Sequence, residues 1–229
     1  MKFKIIFTTY LPFPSAFFLF PHQNRKRSTN RFTGLHCIIF IRGALAKSPL
    51  WREMRYGDPA VEKEAYAGRK FTARYQTNGY YDICACEGGL QMRYTPFASP
   101  EERAFDDVFL GEWLEAPVAF GAFEGETLLG YAEGSPESWN GRFRLSNICI
   151  FERSARGKGV GTMLLKALEE AAKASGARMF VLETQSCNEA AIGFYKRNGF
   201  AVIGFDLYAY TNDDPERHEV RIEMGKKLK

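Results

Sequence analysis

The sequence of 229 residues lacks the patterns that mark several classes of protein. No apolar run approaches the roughly 18 residues that a membrane-spanning helix needs, because prolines and hydroxyl residues interrupt Ile5–Phe20. The five cysteines are odd in number and irregularly spaced, which is not a disulfide framework. Cys84 and Cys86 are too close together for the usual spacing of a zinc site. We therefore expect reduced cysteines, a cytoplasmic protein, no metal site and no membrane partner.

Acidic residues are absent from residues 1–50, which hold eight of the 31 lysine and arginine residues. Residues 51–229 therefore carry all 27 acidic residues against 23 basic ones, a net charge of −4. A nucleic-acid-binding domain should present a basic face, so we expect no nucleic-acid partner. A cationic small molecule suits this distribution of charge better.

The first fifty residues also lack a sustained hydrophobic period, and three interpretations compete for them. Pro12, Pro14 and the absence of a small-residue cleavage site weaken a secretory signal. An organelle-targeting segment should show a Ser-rich amphipathic helix, which is not evident. We favour the third interpretation, an appendage outside the fold. The sequence thus predicts an N-terminal appendage over residues 1–55 and a single domain over residues 56–229.

Regular patterns begin after residue 70, with two strand-like runs beside an Asn-Gly pair. Phe71–Tyr75 and Tyr80–Cys86 flank Asn78-Gly79, which is a strong hairpin-turn signal. A serine, a proline and two acids follow further along the chain, and this order is typical of a helix start. We therefore predict a helix from Ser99 to about Trp113.

The rest of the chain alternates strand patterns with two amphipathic helix patterns. The predicted strands are Val118–Phe123, Leu128–Gly134, Arg142–Phe151, Arg178–Thr184, Phe200–Tyr208 and Glu219–Lys227, and the predicted helices are Thr162–Ser175 and Asn188–Asn198. Ile148–Phe151 is apolar on both faces, as in a central strand that is covered on both sides. This order predicts an α/β fold with a mixed, mostly antiparallel central sheet flanked by helices.

The glycine-rich segment Arg156–Gly161 is the most informative for chemistry, because it follows the predicted central strand and opens a helix. Glycines let the backbone approach a ligand closely, and a helix N-terminus presents unpaired N–H groups with partial positive charge. Arg156 and Lys158 add full charges. The segment therefore predicts an anion site suited to phosphate or pyrophosphate. It matches neither the dinucleotide fingerprint nor the P-loop, because its glycines stand at 157, 159 and 161.

Two motifs together resemble the GNAT (GCN5-related) N-acetyltransferases. Arg156–Gly161 is similar to the family's acetyl-CoA pyrophosphate loop, Arg/Gln-x-x-Gly-x-Gly/Ala. Leu182–Gln185 and the N-x-x-A-x-x-x-Y-x-x-x-G-F pattern from Asn188 to Phe200 are similar to its second half, and the Leu-Glu-Thr-Gln version resembles the streptothricin-type acetyltransferases. The resemblance covers about residues 71–229. It implies the GNAT fold, with acetyl-CoA as co-substrate.

The resemblance also implies a role for each matched residue. The groups that would contact acetyl-CoA are Ile148, Cys149 and Ile150 along the pantetheine arm, Arg156, Gly157, Lys158, Gly159, Val160, Gly161 and Thr162 around the pyrophosphate, and Asn188 near the middle of the cofactor. Tyr195 would protonate the departing thiolate. The spacing from Ile150 to Arg156 is one residue longer than usual, so the pantetheine register could shift to Cys149–Phe151.

The reaction that these parts imply is direct attack of an amine on the thioester in a ternary complex. The amine must lose a proton, and Glu183 is the preferred base, although a structural role for its carboxylate is equally open. Glu133, Glu152 and Asp206 are weaker candidates. We expect an N-acetyltransferase that acts on a primary amine of a small cationic molecule, such as a streptothricin, and leave a homodimer open. Two alternatives remain: an acetyltransferase for protein N-termini or lysines, and a non-catalytic CoA-binding sensor.

Overall fold

The computed structural model of the protein describes residues 66–124 and 127–228. The strands are β1 (Lys70–Cys86), β2 (Gly89–Val108), β3 (Val118–Glu124), β4 (Thr127–Glu137), β5 (Arg142–Ile150), β6 (Met179–Gln185), β7 (Ala201–Asp206) and β8 (Arg221–Lys227). The helices are α1 (Val160–Ala174) and α2 (Glu189–Arg197), and a short 3₁₀ turn spans Arg153–Ala155. The appendage predicted for residues 1–55 lies outside the described residues.

The central sheet has the strand order β3-β4-β5-β6-β8-β7 among the described residues. Neighbouring strands are antiparallel except for β5 and β6, which are parallel and are joined through α1. This confirms the predicted mixed α/β sheet with crossover helices. None of the helices in the described part of the chain is long and apolar enough to cross a membrane.

Helix α1 forms where its local sequence predicts it. Its apolar stripe packs onto one face of the sheet, with Leu164 and Leu168 fully buried against core residues such as Phe180. Gly176 ends the helix in a left-handed conformation with φ 77°. Its N–H donates to Lys173 O (3.0 Å) and the next N–H, of Ala177, donates to Ala172 O (3.3 Å), which satisfies carbonyls that the last turn would otherwise leave unpaired.

The Asn78-Gly79 hairpin turn predicted from the sequence is wrong, because both residues lie inside one continuous strand, β1. The turn comes later, between Cys86 and Gly89. Asn78 instead forms an irregularity where the β1–β2 register shifts. A Cβ on Gly79 would lie 2.4 Å from Thr95 O, so the glycine is needed for close approach to β2.

The helix predicted from Ser99 to Trp113 is also wrong, since β2 continues as a strand to Val108. The segment from Glu101 to Val108 pairs with Lys70–Thr77 of β1. The local helix-start signal at Ser99-Pro100 is outweighed by these cross-strand pairs, which are formed with residues about thirty positions earlier in the chain. Beyond the strand, Phe109 packs its ring against Tyr131 of β4 at a centroid distance of 4.5 Å.

Candidate active site

A gap opens in the middle of the central sheet, where β5 and β6 separate. Their parallel pairing runs only from Arg142 opposite Met179 to Arg144 opposite Val181. Beyond those pairs β5 stays with β4 and β6 stays with β8. Within the described residues, the edge of Ile148–Ile150 that faces β6 therefore has no strand partner. Such an edge can hydrogen-bond an extended ligand in the manner of an added strand.

The glycine-rich loop lies at the end of β5 and leads into the first turn of α1. Gly157 and Gly159 have φ of 72° and 89°, and a Cβ on either would meet no atom within 4 Å. The first backbone N–H of α1 with a helical acceptor is that of Met163, which donates to Gly159 O (3.0 Å). The backbone N–H groups of residues 159–162 have no carbonyl acceptor four residues earlier in the helix. They are therefore able to bind an anion. The predicted loop thus has the backbone shape and the open space that a phosphate needs.

Arg156 makes a contact that the resemblance did not imply. Its guanidinium group donates to Ile150 O (3.1 Å) and to Arg74 O of β1 (3.0 Å). The side chain therefore links the loop both to the end of β5 and to the β1–β2 hairpin. The strand ends at Ile150, and the turn Arg153–Ala155 fills the longer spacing before the loop.

Helix α2 carries two of the predicted site residues, Asn188 at its N-cap and Tyr195. Asn188 caps the helix, because its Oδ1 accepts the N–H of Ala191 (3.2 Å), and its side-chain amide nitrogen is not used in that cap. Phe194 lies 3.5 Å from the position of a Cβ on Gly161, so α2 packs against the first turn of α1. The first turn of α1 and the α2 residues are thereby neighbours in the fold.

Tyr195 is only 5% exposed, with its ring between Phe194 and Phe200. Burial raises the pKa of its phenol, which keeps the hydroxyl protonated at neutral pH. No described residue hydrogen-bonds that hydroxyl.

Glu183 lies on β6 at the gap, where the sequence places it. One of its carboxylate oxygens is 3.4 Å from Arg144 Nη1 and 3.7 Å from Arg221 Nη1. Burial, followed by the charge of Glu183, raises the pKa of the neighbouring Tyr210. Glu183 thus stands in an ion-pair network and beside an aromatic side chain of the β7–β8 loop.

The weaker candidates for a base have other partners. Glu133 is 1% exposed and accepts hydrogen bonds from Leu110 N (2.7 Å), Tyr131 Oη (2.5 Å) and Asn147 Nδ2 (2.8 Å). These three donors occupy the carboxylate, which gives it a structural role. Asp206 pairs with Arg221 (3.3 Å), and Glu152 is exposed.

Cys149 remains a half-buried strand residue. Burial raises the pKa of its thiol to about 11, so at neutral pH it is a protonated thiol and a poor nucleophile.

The β1–β2 hairpin crosses the gap, and no sequence pattern indicated this. Tyr75 Oη donates to Gln185 Oε1 (2.7 Å), and the buried Thr77 hydroxyl donates to Cys187 O (2.6 Å). Tyr81 N donates to Ser186 O (3.0 Å). Together with the Arg156–Arg74 bond, these contacts attach one strand to the end of β5 and to the end of β6. These partners are 82 to 110 positions apart in sequence, so only the tertiary structure brings them together.

Comparisons with known proteins agree with this geometry. The model of the Acetyltransferase (GNAT) family matches residues 89–200. A streptothricin acetyltransferase from Streptomyces lavendulae is 30% identical over 186 residues, which cover 76% of this chain and 93% of that protein. A crystal structure of a nourseothricin acetyltransferase superposes with a TM-score of 0.58 at 27% identity, covering 77% of this chain and 98% of the other. A Bacillus anthracis protein crystallised with acetyl coenzyme A shares the fold, with a TM-score of 0.52 at 19% identity over 70% of this chain and all of the other.

The fold and the site define an acyltransferase that uses acetyl-CoA as its co-substrate. The chain belongs to the GNAT acetyltransferase family, and it is similar to streptothricin acetyltransferases along most of its length. The predicted family, enzyme class and co-substrate are confirmed.

Proposed function

We propose that this enzyme acetylates a primary amine of a small cationic molecule of the streptothricin type. The amine attacks the thioester carbonyl of acetyl-CoA directly, with both substrates bound. Similarity to a streptothricin acetyltransferase over 93% of that protein supports the class of acceptor. The geometry that supports it best is the closure of the sheet gap by the β1–β2 hairpin.

The hairpin favours a small acceptor over a polypeptide. An extended peptide needs a groove that is open at both ends, so that chain can enter and leave. In this structure β1 crosses the gap and is hydrogen-bonded on both sides, through Arg74 to the loop and through Tyr75 and Thr77 to the end of β6. Glu189 of α2 adds an anchor, because its carboxylate accepts bonds from Asn78 Nδ2 (2.6 Å) and Tyr94 Oη (2.6 Å).

We assign each step of the reaction to a group of this candidate site. The N–H groups of Gly157–Thr162 hold the pyrophosphate, and the free edge of Ile148–Ile150 orients the pantetheine arm. A backbone N–H at this edge polarises the thioester carbonyl as negative charge develops on it. Tyr195 is assigned as the proton donor to the departing thiolate, and its raised pKa means that the phenol is protonated at neutral pH. Glu183, on the facing strand, attracts the cationic acceptor and takes the proton that the amine loses on attack, and a proton from solvent restores the Tyr195 phenol.

An amine panel tests this function. The purified full-length chain is mixed with acetyl-CoA and, separately, with streptothricin, an aminoglycoside, spermidine, a lysine-containing peptide and a peptide with a free N-terminus. Release of the CoA thiol is followed by absorbance, and the acetylated product is identified by mass spectrometry. We expect turnover with streptothricin at a kcat/KM well above that of either peptide.

The control is Gly159→Glu, which places a bulky anion in the phosphate site and should abolish turnover of every amine. A higher kcat/KM with a peptide than with any small amine would contradict the proposed acceptor. Tight acetyl-CoA binding without turnover of any amine would favour the sensor instead.

A further inference from the structure

The side chain of Arg156 bonds two backbone segments that are distant in sequence. Its Nη2 donates to Ile150 O (3.1 Å) and to Arg74 O of β1 (3.0 Å), and its Nε donates to Ile150 O as well (3.3 Å). A guanidinium group is planar and presents its N–H donors in a fixed fork, so one side chain can hold two carbonyl oxygens at once. Arg156 therefore fastens β1 to the end of β5.

The Ile150 carbonyl that Arg156 holds faces the gap between β5 and β6. Ile150 is opposite Gly130 of β4, and the following N–H, of Phe151, donates to Leu129 O (2.9 Å). In an antiparallel ladder, a hydrogen bond at this offset means that the polar groups of Ile150 itself point away from β4. The other side of β5 is the side on which β6 has separated. The guanidinium group thus lies at the edge of the gap, where β5 ends.

A second arginine joins the same two parts of the chain, but at their surface. Arg153, in the turn before the loop, lies 3.5 Å from the Glu102 carboxylate of β2, and the two side chains are 83% and 54% exposed. Exposed ion pairs contribute little to stability, because water screens them and both side chains lose freedom. Arg156 instead bonds main-chain oxygens, whose positions are fixed by β1 and β5. Arg156 is therefore the stronger candidate for holding the hairpin at the gap.

The loop keeps other groups for an anion while Arg156 is engaged in this way. The N–H groups of residues 159–162 have no acceptor within the helix, and Lys158 is exposed in the same loop. A diphosphate can therefore be bound without the Arg156 side chain, which differs from the role that the family resemblance implies for it.

We propose that Arg156 is a positioning residue for the acceptor, which keeps β1 across the gap, rather than a group that binds the diphosphate of acetyl-CoA. This inference rests on the proposed function, in which the hairpin bounds the space for a small amine. Without the Arg156 bonds, β1 is free to move away from β5, while Tyr75 and Thr77 still hold it to the end of β6. The amine is then oriented less well toward the thioester, because a small displacement of a positioning element reduces productive binding.

Arg156→Lys separates the two roles, because lysine keeps the positive charge but loses the planar fork. The KM for streptothricin should rise about three- to tenfold, as expected for one lost hydrogen bond. The probe for the diphosphate site is ADP, which carries the diphosphate of CoA and lacks the pantetheine arm. The Kd for ADP, measured by calorimetry, should stay within about threefold of wild type. Arg156→Met, which also removes the charge, should raise the KM for streptothricin by a similar factor and leave the Kd for ADP within the same range.

Arg153→Met is the matched control, since it removes an exposed arginine that contacts the hairpin through Glu102. It should change neither the KM for streptothricin nor the Kd for ADP. A Kd for ADP that rises more than about tenfold in Arg156→Met and is restored in Arg156→Lys would assign the side chain to the diphosphate and overturn the inference. An unchanged KM for streptothricin in both Arg156 variants would also overturn it, while the proposed function stands. If the wild-type chain does not acetylate streptothricin, the proposed acceptor and this inference both fail.

Discussion

Gly159 is the residue at which the proposed phosphate site can be tested most directly. It has φ 89° and ψ −1° at the N-cap of α1, a left-handed conformation that L side chains rarely adopt. A Cβ there would touch nothing within 4 Å, so alanine causes no clash inside the protein. The methyl group of Gly159→Ala would instead occupy the open space in front of the loop.

The structure separates the effect on folding from the effect on binding. A left-handed backbone conformation destabilises a residue that has a Cβ by about 1–2 kcal/mol. Alanine also lowers the conformational entropy of the unfolded chain relative to glycine, which offsets part of this loss of stability. We expect the free energy of unfolding to fall by about 1 kcal/mol. Loss of one hydrogen bond to a charged phosphate costs about 1.5–3 kcal/mol, which raises the Kd for acetyl-CoA roughly 10- to 100-fold.

Gly176→Ala provides the matched control for this substitution. Gly176 follows the other end of α1 with φ 77°, and a Cβ there would also meet nothing within 4 Å. Urea denaturation should show a similar loss of stability in both variants, and calorimetry should show weaker acetyl-CoA binding only for Gly159→Ala. If both variants bind acetyl-CoA with the wild-type Kd, the loop is not the pyrophosphate site.

Three further predictions concern the acid, a buried carboxylate and a loop. Tyr195→Phe should lower kcat about 100-fold. The Kd for acetyl-CoA and the melting temperature should not change, because no described residue hydrogen-bonds the hydroxyl. Turnover at the wild-type rate would exclude Tyr195 as the acid. Glu133→Ala should lower the free energy of unfolding, measured by urea denaturation, by about 3 kcal/mol or more, because it leaves three donors unpaired. A loss below about 1 kcal/mol would show that water replaces the carboxylate. Asp214 is buried in the β7–β8 loop, and bonds from Tyr210 N and Thr211 outweigh its burial and lower its pKa. Asp214→Asn should therefore be less stable than wild type above about pH 4, and the difference should shrink as the pH falls below that value, as measured by chemical denaturation across pH. A difference that is independent of pH would refute this account.

The sequence by itself determined the elements that carry the proposed cofactor site. The loop at residues 156–161 depends on glycines with positive φ, and those glycines are required wherever the rest of the chain lies. The ends of α1 and α2 follow from Gly176 and from the cap Asn188, whose hydrogen bonds span only a few residues. Turns and helix caps of this kind can be predicted directly from the sequence, because their hydrogen bonds are local. Two such motifs at the right separation were enough to indicate the family.

The tertiary structure alone decided the strand pairing and the partners of the buried carboxylate. The segment after Ser99 carries a helix-start signal, but its pairing with Lys70–Thr77 makes it a strand. Glu133 was a candidate base until the fold surrounded it with three donors. The physical reason is the same in each case. A turn or a cap is satisfied by neighbours in sequence, whereas strand pairing and the satisfaction of buried polar groups depend on residues that are distant in the chain.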